Sequence, residues 1–109
     1  MYEDRRGLRF TFNASAEIAL KDAPKAIFPG RVTELSLQGC FVETFSACDL
    51  QRVVLLKIEN SQEVFEAEAT VLYVRPNGVG LVFRELALES RSVLQKWMIK
   101  ALDSQLAPL

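Results

Sequence analysis

Residues 10–20 read Phe10-Thr11-Phe12-Asn13-Ala14-Ser15-Ala16-Glu17-Ile18-Ala19-Leu20, and their order decides the class of fold. Phe10, Phe12, Ala14, Ala16, Ile18 and Leu20 fall on one face, and Thr11, Asn13, Ser15 and Glu17 on the other. A period of two is that of a strand with one buried face. Residues 64–75 repeat it, with Phe65, Ala67, Ala69, Val71 and Tyr73 opposite Glu66, Glu68 and Thr70. Pro76-Asn77-Gly78 follows, and Asn-Gly between apolar runs signals a hairpin. The last strand then alternates through Val79, Leu81 and Phe83.

Between these two stretches the pattern stays that of short strands. Lys21-Asp22-Ala23-Pro24-Lys25 is polar and holds a proline, so it reads as a loop. Pro29-Gly30 introduces a second strand that runs to about Leu37. Strict alternation there sends Thr33, Leu35 and Leu37 one way and Val32, Glu34 and Ser36 the other. Gln38-Gly39 marks a turn or bulge, Cys40 to Glu43 a short strand, and Ser46 to Asp49 a connection. Val53 to Ile58 is apolar and β-branched, a fourth strand closed by the turn signal Asn60-Ser61.

From Leu88 the period changes. Leu94, Trp97, Met98, Ala101 and Leu102 recur at helical spacing, with Glu89 near the start and Lys96 and Lys100 towards the end, as the helix dipole favours. The Trp and Met stripe reads first as core packing against the open end of a barrel. Six short strands, hairpin turns and one terminal helix predict an all-β fold, a small antiparallel barrel or sandwich with a helical lid. One domain is expected over residues 1–109, with a flexible arginine-rich segment at 1–9, the barrel at 10–84 and the helix at 87–104.

Composition narrows the function. The chain has 109 residues, half of them apolar, and a formal net charge of −1. Such a balance buries one core but gives no general attraction for duplex DNA or RNA. No apolar run approaches the roughly 18 residues of a membrane span. The charged start lacks a secretory apolar region, so a cytoplasmic protein with reduced Cys40 and Cys48 is expected. Histidine is absent, which excludes Ser-His and Cys-His catalysis and leaves too few ligands for a metal site. Glu66 and Glu68 sit on an outer strand face and read as solubilising residues. No catalytic constellation is visible, so an enzyme is not expected and no cofactor is implied.

Two stretches exceed what a barrel needs. Asp4-Arg5-Arg6-Gly7-Leu8-Arg9 places three guanidinium groups within five residues, just ahead of the first strand. Arginine grips phosphate with paired hydrogen bonds and stacks flat on a base, so the cluster fits an anionic partner; a solvated tail is the plainer reading. Glu34-Leu35-Ser36-Leu37-Gln38-Gly39 puts a carboxylate and a hydroxyl at a strand-to-turn junction. A carboxylate accepts hydrogen bonds from the N–H edge of guanine, and a serine with glycine-exposed backbone completes a polar pocket. The plainer reading is a solvent-facing strand edge.

At these residues the sequence resembles the PilZ domain family, bacterial receptors for the second messenger cyclic di-GMP. Arg5 and Arg9 match that family's Arg-x-x-x-Arg, Ser36 and Gly39 match its Asp/Asn-x-Ser-x-x-Gly, and Gly78 to Phe83 matches its closing Gly-x-Gly-x-x-Phe. Glu34 stands where the family pattern has Asp or Asn, one methylene longer. The resemblance implies a six-stranded antiparallel β-barrel capped by a C-terminal α-helix, acting as a nucleotide-binding switch with cyclic di-GMP across the barrel's outer surface. It implies Arg5, Arg6 and Arg9 on phosphate and base, Glu34 on the guanine edge, Ser36 and Gly39 beside it, and Arg31 and Val32 as further contacts. It also implies a downstream partner protein; the near-neutral charge speaks against a nucleic-acid polymer, and a spare apolar helix face suits a monomer or weak homodimer. The alternative on the same fold is a protein-interaction module in which Glu34 has removed ligand binding.

Overall fold

The alternation of residues 10–20 folds as expected into β1 (Phe10–Leu20), whose even-numbered side chains turn inward. The structure, a computed structural model, describes residues 9–45 and 48–105. The other elements are β2 (Ala23–Leu35), β3 (Gly39–Glu43), β4 (Val53–Asn60), β5 (Glu63–Arg75), β6 (Gly78–Phe83) and α1 (Leu88–Gln105). All strand pairs are antiparallel, and the order β1-β2-β3-β6-β5-β4 closes on itself as β4 returns to β1. A closed barrel has no free outer strand to pair with another chain.

β2 begins earlier than the proline suggested. The turn is Lys21-Asp22, and Leu20 already pairs with Ala23. The register then slips, because Ala19 pairs with Ile27, so Pro24, Lys25 and Ala26 have no partner on β1. Proline is tolerated in such an irregular, unpaired stretch because the ladder asks no N–H of it there.

Strict alternation also fails once in β2 and once in β5. Across β2 and β3 the register moves from Val32↔Val42 to Glu34↔Phe41, so Thr33 is an extra residue on β2. Val32 and Leu35 therefore both enter the core, 0% and 1% exposed, while Glu34 faces out. On β5, Val71 pairs with Leu81 but Tyr73 with Gly80, which makes Leu72 the extra residue. Tyr73 is thereby turned to the outside, against the inward position that alternation assigned it. Each is a β-bulge, whose effect is to flip the side chains that follow it.

The core runs through Ile18, Val32, Val54, Ile58, Phe65, Val71 and Val79, and α1 closes it with Leu94 and Trp97. Trp97 is 1% exposed, stacks on Phe12 at 5.2 Å between ring centroids, and tilts against Phe65 at 6.3 Å. Truncating a buried tryptophan of this kind costs about 3–5 kcal/mol. The helical stripe is narrower than its spacing suggested, since Leu88 and Leu102 lie exposed. Lys96 and Lys100 precede the last turn, which has no basic residue among those described; Lys96 instead reaches Glu63 on β5 at 2.6 Å.

Candidate functional site

The turn that joins β2 to β3 is built by one hydroxyl. Ser36 Oγ donates to the Gly39 carbonyl at 3.2 Å and accepts the N–H groups of Gln38 and Gly39, both at 3.1 Å. A serine hydroxyl has one donor and two acceptor positions, so all of its capacity is spent inside the turn. Ser36 therefore positions the turn, and it is the one buried polar side chain among the described residues. Gly39 is required for a different reason. A Cβ there would stand 2.0 Å from the Leu81 carbonyl oxygen, so β3 and β6 could not come together.

Glu34 lies just before this clasp on the outer wall, and the bulge at Thr33 puts it there. Its Oε1 accepts from the Arg9 guanidinium at 3.4 Å. The side chains are 62% and 50% exposed, so water screens this ion pair and it is worth at most about 1 kcal/mol. Arg9 and Glu34 are thus neighbours in space, though twenty-five positions apart in sequence.

Sequence reasoning missed the surface beside them. Glu34 pairs with Phe41, Phe41 with Gly80, and Gly80 with Tyr73, in one row across β2, β3, β6 and β5. Gly80 leaves a gap in that row which the Tyr73 ring fills; a Cβ at Gly80 would come within 2.2 Å of the ring. Phe41 and Tyr73 stack over the gap, 6.2 Å apart and 19° from parallel. The Arg75 guanidinium sits 4.8 Å from the Tyr73 centroid, within cation–π range. Phe41 was findable, because it alternates between Cys40 and Val42, both buried. Tyr73 carried no local signal, since the bulge that turns it is set by its partner strand.

Two shallow hollows flank the shelf, of about 120 Å³ on the Ser36–Gly39 side and about 260 Å³ on the Arg75 side. Arg9, Glu34, Phe41 and Tyr73 line both. Cys40 lies against the first hollow, but burial pushes its thiol up to about 12, so it stays protonated and is no nucleophile. Among the described residues no group of His, Cys, Asp or Glu could hold a metal ion.

The other expected site residues divide. Arg31 faces out in register with Glu43 but lines neither hollow. Val32 is a core residue and cannot reach an outer ligand with its side chain, for the bulge that exposes Glu34 buries Val32. Arg5 and Arg6 lie outside the described residues.

The sequence matches the PilZ domain family profile over residues 3–100. No curated protein matches it. Among solved structures it superimposes on the PilZ domain of YcgR from Escherichia coli, determined with c-di-GMP, with a TM-score of 0.76 at 14% identity, covering 94% of this chain and 95% of that one. The Bacillus subtilis inhibitor of motility MotI/DgrA gives a TM-score of 0.76 at 15% identity, with 97% of this chain but 54% of that one covered. The PilZ domain of CeSA from a cellulose-synthesizing bacterium gives 0.71 at 15% identity, covering 85% and 96%. At such identities these likenesses speak for the fold. No described helix is long and apolar enough to cross a membrane.

Proposed function

The chain belongs to the PilZ domain family, and on that premise we propose that it is a cyclic di-GMP receptor that regulates a partner protein by changing its surface. The observation that carries this reading is the meeting of Arg9 and Glu34 at the edge of the Phe41–Tyr73 shelf. The ligand has two phosphates and two guanines. Arg9, with Arg5 and Arg6 ahead of it, supplies cations for the phosphates. Glu34 accepts the N–H edge of one guanine. Arg75 on Tyr73, beside Phe41, offers a flat cationic and aromatic surface for a purine. Ser36 and Gly39 act through the turn they hold, setting where Glu34 stands and which backbone faces the ligand.

The output is a conformational switch and no reaction. A bound dinucleotide would tie the arginines of residues 5–9 to one ligand beside Glu34, where Arg9 already stands, and make them part of a changed surface. The Arg9–Glu34 pair must open for Glu34 to meet guanine, and its exposure makes that step cheap.

A second reading rests on Glu34 itself. If its extra methylene spoils the fit to the guanine edge, the domain is an interaction module without ligand. Calorimetric titration with cyclic di-GMP, beside GTP and cyclic di-AMP, separates the two. Saturable heat with cyclic di-GMP alone supports the receptor; no heat at high micromolar ligand sinks it. Glu34→Asp, which shortens the carboxylate and weakens its reach to Arg9, is expected to preserve or tighten binding.

A further inference from the structure

On the wall opposite the Glu34–Tyr73 row, β1 and β4 run side by side, and their outer face is unlike the rest of the barrel. Ile27 on β2 pairs with Ala19 on β1, and Ala19 with Leu55 on β4. Ala19 points outward yet is only 7% exposed, because its larger neighbours rise around it. Ile27 itself is 55% exposed. Together they form a trough of about 470 Å³ with an apolar floor.

Its rim is acidic. Glu17, Glu66, Glu68 and Glu85 line it against a single cation, Lys57. Glu68 is already matched by Lys21 at 3.0 Å and Arg84 at 3.6 Å, and Lys57 turns to Glu59 at 3.6 Å. That leaves Glu17 and Glu66, which flank Lys57 in register, and Glu85 around an apolar floor: three carboxylates to one cation, none of the three within 4 Å of a cationic group among the described residues. An apolar groove rimmed by unmatched carboxylates complements a segment that is apolar at its centre and basic at its flanks.

We propose that this trough is the docking site for a partner protein, taken through a Lys- or Arg-flanked apolar segment of that partner. It deepens the adaptor half of the proposed function and rests on different residues from the ligand half. In the strand order, β1 and β4 lie across the barrel from β3 and β6, so ligand and partner can be held at once. The two walls share the core and two strands, for β2 carries both Ile27 and Glu34 and β5 both Glu66 and Tyr73.

The test uses the full chain and a designed probe, a fluorescent twelve-residue peptide alternating Leu and Lys. Its controls alternate Leu with Glu and Gly with Lys. Anisotropy gives affinity, and backbone amide shifts give the place. The Leu-Lys peptide is expected to bind at least ten-fold more tightly than either control, with shifts centred on Ala19, Ile27 and Leu55. Ile27→Asp and Glu66→Lys should each weaken it at least ten-fold while leaving thermal unfolding and the cyclic di-GMP titration unchanged. Equal binding of the Leu-Glu peptide, or shifts centred elsewhere, overturns the proposal. So does self-association in sedimentation that Ile27→Asp abolishes, since the trough then belongs to a second copy. Loss of cyclic di-GMP binding alone would leave these peptide results standing, which keeps the two readings separable.

Discussion

The β1–β4–β5 wall and the β2–β3–β6–β5 wall are made from the same alternating code, but they treat it differently. β1 pairs with β4, and β4 with β5, without a single shift in register. The pairings β2–β3 and β5–β6 each shift once, at Thr33 and at Leu72. Those two shifts turn Glu34 and Tyr73 outward into one row with Phe41 and Gly80. The regular wall shows what unbroken alternation builds, and β1 departs from it only against β2, where its register shifts twice. The irregular wall shows what has been added, since a bulge gives up paired backbone to re-aim a side chain.

The largest effect that can break this contrast concerns stability. Gly39→Ala puts a methyl against the Leu81 carbonyl, where backbone must move, and should cost about 3 kcal/mol or more in urea unfolding. Lys57→Ala on the regular wall should stay within about 0.5 kcal/mol. Equal costs would mean that the walls do not differ in constraint. The next effect concerns affinity. Arg9→Ala should weaken cyclic di-GMP by about 2 kcal/mol, roughly 30-fold in Kd by calorimetry, as loss of a charge-assisted contact does. If the titration curve is unmoved, Arg9 is not part of the site.

A smaller change sharpens the role of the shelf. Tyr73→Ala should cost about 1.5 kcal/mol of binding, within the range for one stacked base, while Tyr73→Phe stays close to the parent. If the phenylalanine variant loses as much, the hydroxyl acts and the ring does not. The smallest effect lies at the start of β5, where it meets the helix. Hydrogen bonds from Lys96 and then from Trp97 hold the Glu63 carboxyl below the usual glutamate range. A folded-state pKa below the unfolded one adds stability that is complete above the unfolded value and is lost as pH falls through the folded one. Thermal midpoints should therefore decline below about pH 5 more steeply in the parent than in Glu63→Gln. Parallel declines would show that this carboxylate is not coupled to folding.

What could be read from the residues follows the same division. The inward set of β1, the Asn77-Gly78 hairpin and the span of α1 are local patterns, and the structure keeps them. The PilZ family resemblance was legible because its three motifs occur in order, and the family match covers nearly the same residues. The bulges were not legible, for a register is chosen by the partner strand and not by the strand itself. That is why Val32 was placed beside Glu34, why Tyr73 was placed inside, and why the shelf was missed. The Ser36–Gly39 motif was legible as a pattern, but its use as a turn clasp was not. Only the direction of the Gln38 and Gly39 N–H groups shows that the hydroxyl is already engaged.

Trp97 is the only tryptophan in the chain, and it sits where the helix meets the barrel, its indole N–H on Glu63 at 3.0 Å. Among the described residues its ring partners are Phe12 and Phe65, and neither belongs to the Glu34–Tyr73 row. The protein thus carries a single indole, whose emission colour, read apart from that of its two tyrosines, measures how well the helix is seated. Light from this one ring can follow the lid without a label, while the nucleotide wall is followed by other means.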